Sequence, residues 1–238
     1  MRLPAPSLPL ALLLALVLSA CGGDGDGGGD ASSDATGTTA TDTTPAFVEP
    51  EPLPRTELEG GYLYEVADEG FEVAVPRPWI ARSASQVPDA RHLRRLSVQY
   101  AEVIGYFESL VGDTPARFVA VSPRLRQSFA PNLTITVEDV EPGTTLRAYA
   151  ERVRGQIEST AVNVQGDVRM ENVRVPAGPA RHIRYRRAFS DTVTVTSQHY
   201  LLVRDDKGYA LTFSTATPDA AFGEAVRLAV ETFAFLQS

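Results

Sequence analysis

The chain has 238 residues, with 22 Lys and Arg against 30 Asp and Glu, a formal net charge of −8. The charge is unevenly spread: from Arg55 onward there are 23 acids and 21 bases, a net of −2, which excludes the strongly basic make-up of a general nucleic-acid binder. Cys21 is the only cysteine, so a disulfide framework, a thiolate metal site and a cysteine nucleophile are excluded from the domain that follows it.

At the N-terminus, Arg2 precedes an apolar run from Leu10 to Leu18 and then small residues. A positive start, a short apolar stretch and small residues at a cut site describe a secretory signal. A spanning helix needs about 20 apolar residues, so the run is too short to remain in the bilayer. Leu18-Ser19-Ala20-Cys21 resembles the lipobox of bacterial lipoproteins. The resemblance implies removal of residues 1–20 and a diacylglycerol on Cys21, hence an extracytoplasmic protein lipid-anchored to the bacterial cell membrane.

Residues 21–58 read as a disordered tether. Gly and Asp come first, then a Thr cluster (Thr36, Thr38, Thr39, Thr41, Thr43, Thr44), then Pro45, Pro50, Pro52 and Pro54. Between Gly22 and Pro54 there are acids but no Lys or Arg, and few apolar side chains to offset the entropy of ordering. A flexible coil of about 33 residues spans on the order of 30 Å. Gly23-x-Gly25-x-x-Gly28 matches the dinucleotide fingerprint in letters only. No strand precedes it, no helix follows it, and Asp24 and Asp26 would repel a pyrophosphate.

Residues 59–238 read as one domain. Structure is expected to start near Tyr62, with a hairpin of Leu63–Ala67 and Phe71–Val75 turning at Asp68-Glu69-Gly70. Leu93, Leu96, Tyr100, Val103, Ile104, Phe107 and Leu110 recur at helical spacing, which predicts a helix over 89–111. Strands are predicted over 118–121 and 133–137, the second with one wet face. Thr144 or Thr145 can cap a helix that carries Leu146, Tyr149, Val153 and Ile157 on one face. Four strands then follow over 168–175, 180–189, 193–203 and 209–215, with Asp205-Asp206-Lys207-Gly208 as a tight loop between the last two. Thr217-Pro218 is the expected N-cap and first position of a last helix bearing Phe222, Val226, Val230 and Phe233. Strands that follow one another as hairpins predict an α+β fold, an antiparallel β-sheet with helices packed on it.

Several stretches carry a family likeness. Phe71-Glu72-Val73-Ala74-Val75-Pro76-x-x-Trp79 resembles the opening of PsbP-like domains. Asn132–Val137, Pro142-Gly143 and the Thr-Leu helix start resemble their central strand and helix. Gly178-Pro179-Ala180 and the Tyr209–Thr215 strand before a helix ending in Phe233 are similar too. In layout the chain resembles the mycobacterial LpqN-type lipoproteins. The resemblance covers roughly residues 60 to 238, and the stretch 89–111 departs from it in length. It implies an α/β/α sandwich and a docking role, since relatives of this kind dock on photosystem II or on the Ran GTPase and are not established as enzymes.

Catalytic motifs are absent from the sequence: no Gly-x-Ser-x-Gly, no His-Glu-x-x-His and no P-loop. Glu138, Asp139 and Glu141 read as an exposed loop-edge cluster rather than a glycosidase pair. Of the three histidines, His92 beside Arg91, Arg94 and Arg95 reads as solvated surface. His182 and His199 lie on neighbouring strands. Alternation places His182 with Arg184 and Arg186, opposite Ile183 and Tyr185, and places His199 with Leu201 on the apolar side. The two rings are therefore expected on opposite faces, which leaves no metal or acid–base pair. No cofactor is expected.

Arg181-His182-Ile183-Arg184-Tyr185-Arg186-Arg187 is the densest charge in the domain. Arg184 and Arg186 are the candidate binding residues, because guanidinium forks suit carboxylates and phosphates. A solvated face paired with acids across the sheet is the plainer reading. The function expected is that of an anchored lipoprotein, not an enzyme. Its domain binds a protein or envelope partner, and its membrane contact is the lipid on Cys21. A carrier of a lipid or other apolar ligand is the alternative, and a hydrolase ranks last.

Overall fold

The computed structural model describes residues 53–83, 116–127, 129–160 and 164–237. The signal, Cys21, most of the tether, His92 and the helix expected over 89–111 lie outside the described residues.

The chain opens with β1 (Arg55–Leu58), β2 (Gly61–Val66) and β3 (Phe71–Pro76). Gly70 takes φ 73° at the β2–β3 turn and donates its N–H to the Ala67 carbonyl, as the hairpin reading requires. β1 begins earlier than the expected start at Tyr62, and Leu53 already packs on the core. β4 (Ile80–Ser83), β5 (Ala116–Val121) and β6 (Asn132–Asp139) follow. Helix α1 (Leu146–Thr160) comes next, and Thr145 Oγ1 accepts from the Ala148 N–H at its start. β7 (Val164–Val175), β8 (Gly178–Ala188), β9 (Thr194–Arg204) and β10 (Lys207–Thr215) form successive hairpins. Helix α2 (Ala220–Thr232) and the short β11 (Ala234–Phe235) end the described chain.

Two details correct the expected boundaries. The N-cap of α2 is Asp219, not Thr217: the Asp219 carboxylate accepts from the Phe222 N–H at 2.9 Å. Thr217 instead donates its N–H to Thr215 Oγ1, closing the turn before the helix. The β9–β10 turn consists of Asp205 and Asp206 alone, both at positive φ (51° and 57°), while Lys207 and Gly208 belong to β10.

The fold is α+β with antiparallel strands in two sheets. One has the order β1-β2-β3-β11; the other has seven strands in the order β4-β5-β6-β10-β9-β8-β7. Alternation assigns each residue of the large sheet to a face. On one face Phe118, Leu133, Ile135, Leu211, Phe213 and Leu202 meet Phe71, Val73 and Val75 of the small sheet and Phe222, Val226 and Ala229 of α2. On the other, Ile183, Tyr185, Leu201 and Ala210 meet Tyr149, Ala150, Val153 and Ile157 of α1. Burying each of these large side chains stabilises the fold by about 1.5–3 kcal/mol. Among the described residues the small sheet and α2 cover only part of their face, and beyond them Arg169 and Glu171 of β7 and Arg184 and Arg186 of β8 are exposed, while Thr196, Gln198 and Tyr200 of β9 are half-buried.

Candidate interaction surface

The open part of that face is built by three strands. The pairing of β8 with β9 sets Arg184 opposite Gln198 and Arg186 opposite Thr196. The pairing of β7 with β8 sets Arg169 opposite Arg184 and Glu171 opposite His182. Residues directly opposite share a face, so Arg169, Arg184 and Arg186 project on the same side. All three are exposed, and their side chains form no hydrogen bond or ion pair among the described residues. Ile183 and Tyr185 point the other way and are buried under α1. Sequence alternation thus placed Arg184 and Arg186 together on the open side. It missed Arg169, because which residue of β7 faces Arg184 depends on the pairing register set at the Pro176-Ala177 turn, and not on the neighbours of Arg184 alone.

His182 borders this surface and is not solvated like its neighbours. Its side chain is 8% exposed. The ring stacks on Tyr200 with centroids 4.4 Å apart, and Tyr200 meets Phe213 of the core edge-on. Nδ1 lies 2.9 Å from Glu171 Oε1 and Nε2 lies 3.2 Å from Gln198 Oε1. Glu171, two residues along β7 from Arg169 and on the same face, meets His182 through one oxygen and keeps its side chain 65% exposed.

His199 lies on the opposite face, as expected, opposite Ile183. Thr212 Oγ1 sits 2.9 Å from Nδ1, and Tyr185 OH sits 3.3 Å from Nε2 with its ring stacked on the imidazole. One ring nitrogen donates and the other accepts, the inventory of a neutral imidazole. Burial first, then the positive charge of Arg187, lowers the His199 pKa to about 4. Ser197 and Ser214, mutually bonded at 3.1 Å, continue the buried polar row beside it. Among the described residues the ring nitrogens of His199 meet hydroxyls, of Thr212 and Tyr185, and no carboxylate of the kind that orients the histidine of a hydrolytic triad. The row hydrogen-bonds within itself and reads as structural.

The carboxylates named from the sequence do not form a catalytic pair. Glu138 bridges Arg152 of α1 at 3.1 Å, and Asp139 and Glu141 are exposed.

No family model matches the chain, and no curated protein does. Among solved structures it is similar to the cyanobacterial PsbP of Synechocystis, at 12% identity and a TM-score of 0.46, over 75% of this chain and 94% of that one. It is similar to LpqN, which is involved in cell envelope biogenesis of Mycobacterium tuberculosis, at 10% identity and a TM-score of 0.45, over 70% of this chain and 83% of that one. A variant of the protein Mog1 gives 11% identity and a TM-score of 0.44, over 75% and 97%. At such identities the likeness concerns the path of the chain and says nothing of activity. In fold, the chain is similar to PsbP and LpqN, the two groups that its motif order resembles.

Proposed function

We propose that this protein is a lipid-anchored, extracytoplasmic docking module. Its domain binds an anionic protein or envelope partner through Arg184 and Arg186 and performs no chemistry of its own. The observation that carries the reading is the state of the two side chains: exposed, on one face, and with no ion pair to an acid among the described residues. Arginine forks held on a sheet are preorganised for carboxylates, and arginine is a frequent anchor in interfaces. The signal and the Leu18-Ser19-Ala20-Cys21 motif support the anchor and the location.

The test is the Arg184→Ala/Arg186→Ala double variant, expressed at native level and cross-linked in intact cells. The expected outcome is loss of the cross-linked species, with unfolding free energy unchanged within about 0.5 kcal/mol, as for surface positions that hold no partner. An unchanged set of cross-linked species removes this face from the function.

A further inference from the structure

β7 is the outermost strand of the large sheet, and among the described residues no strand pairs with its far side. From Arg169 to Val175 it runs in unbroken register with β8, and this stretch holds no proline. Pro179 has no N–H, so its pairing with Arg174 is of the non-hydrogen-bonded kind. The two kinds of pair alternate along an antiparallel ladder, so Arg169, Glu171 and Val173 turn their N–H and C=O groups to β8. Met170, Asn172 and Arg174 turn theirs outward. Such a row of outward groups templates a further strand unless a bulge or a charge repels it.

The charges along the row choose the strand that fits. Arg169 and Glu171 stand two apart, so both project on the same face, and both are exposed. Glu171 meets His182 through Oε1 alone. Within one chain Arg169 lies directly across from Arg184, and like charges so placed destabilise a sheet. A positive residue followed by a negative one on the same face becomes negative then positive when the strand is reversed. Set antiparallel to itself with Met170 opposite Met170, the segment puts Arg169 opposite Glu171 on both sides of a two-fold axis. The neighbouring symmetric registers do not. One sets Glu171 against Glu171, another sets Arg169 against Arg169, and a third, centred on Asn172, sets Glu171 against Val173. The favoured register also agrees with the backbone, because Met170 is among the residues whose N–H and C=O point outward. On the other face the Met170 side chain lies half-buried against the α1 cluster and supplies an apolar contact at the axis.

We propose that two copies of this chain associate edge to edge through β7, antiparallel about a two-fold axis at Met170, so that their seven-stranded sheets join. Arg169, Met170 and Glu171 make the centre of the contact, flanked by Asn172 opposite Val168, where the bulge ends the fit. Each Glu171 then bridges His182 of its own chain and Arg169 of the second copy, which offsets the repulsion between Arg169 and Arg184. The contact is isologous, the same patch on both sides, as in most closed dimers. The inference goes beyond the docking role of Arg184 and Arg186, and Arg186 lies outside the paired stretch.

The full chain is purified in detergent and its association followed by sedimentation velocity over a range of concentrations. A monomer–dimer equilibrium is expected. Arg169→Glu and Glu171→Arg each set like charges opposite one another and should weaken dimerisation at least tenfold. The double reversal Arg169→Glu/Glu171→Arg restores opposite charges and should recover the parent's affinity to within threefold. Oxidation tests the register. Met170→Cys places two thiols across the axis, with Cα atoms about 5.5 Å apart and within disulfide reach. It should gain a disulfide-linked dimer over the parent chain, whose one thiol is at Cys21. Asn172→Cys separates its two thiols by four residues along the strands, about 13 Å, and should gain none. A parent that stays monomeric, single reversals that dimerise like the parent, a double reversal as weak as the singles, or equal cross-linking at both positions overturns the proposal. The docking reading is untouched by each of these outcomes, because every variant keeps Arg184 and Arg186.

Discussion

His199 shows what a single buried titratable group does to this fold. Its folded-state pKa of about 4 lies below the ordinary 6.5, because the enclosed ring resists charging. Between those values the unfolded chain binds a proton that the native state refuses, so stability falls as pH drops from about 6.5 to about 4. A shift of this size corresponds to about 3 kcal/mol at most, since the residue keeps some solvent contact. His199→Gln removes the term. Urea unfolding at pH 7 and pH 4.5 should show the parent's advantage over the variant shrinking at the lower pH; an advantage constant across that window would mean that His199 titrates normally. The placement of His199 opposite to His182 was legible in the sequence, because strand alternation needs only the neighbours of each residue. The enclosure of His182 by Tyr200, Glu171 and Gln198 was not, since all three come from adjacent strands and meet the ring through a pairing register that its own neighbours do not show.

At the scale of elements, the hydrophobic periods placed both described helices and the longer described strands, because each shows a clean apolar stripe or alternation, but not β1, β4 or β11. Failures sit where a side-chain hydrogen bond outcompetes a composition signal, as with Asp219 over Thr217, or where the strand is too short to show a period, as with β1. Gly208 is a second kind of hidden constraint. It reads as a turn glycine, yet it lies in β10, where a Cβ would come within 2.6 Å of the Tyr149 ring. Tyr149 is fully buried and cannot yield, so α1 sits at its present distance from the sheet only because position 208 lacks a side chain. Gly208→Ala should destabilise the fold by about 1–3 kcal/mol, the cost typical of overpacking. Chemical denaturation measures it, and Tyr149→Ala in the same background should recover part of the Gly208→Ala cost even though it is itself destabilising. Additive losses would show that the two positions do not compete.

For the molecule as a whole, the division of its strands into two sheets could not be read from residue order. Hairpin order does not say where β3 ends its own sheet and another begins, because β4, the four-residue strand that opens the second sheet, is too short to show a period. That division leaves part of a face exposed among the described residues: a four-stranded sheet and one helix shield only part of a seven-stranded one. Anchoring belongs to this scale as well. Cys21→Ser should shift the protein from the membrane fraction to the soluble fraction or leave the uncleaved precursor, as seen by fractionation and immunoblotting. Normal cleavage with unchanged membrane retention would show that something other than a lipid holds it.

The chain enters the domain through β1, whose strand pairs with β2 from Arg55 opposite Tyr64 to Leu58 opposite Gly61, and Pro54 accepts a hydrogen bond from the Glu65 N–H. Tension applied ahead of Leu53 therefore loads the open end of a hairpin. Its hydrogen bonds break one after another from Pro54 towards the turn, instead of shearing together. β1 is the mechanical fuse of the domain: under a pull from the N-terminal side it peels away at low force and adds a few residues to the extended chain ahead of β2. The β2–β3 pair, sealed by Phe71, Val73 and Val75, stays folded. In a force-extension trace this appears as a small early step ahead of the main unfolding event.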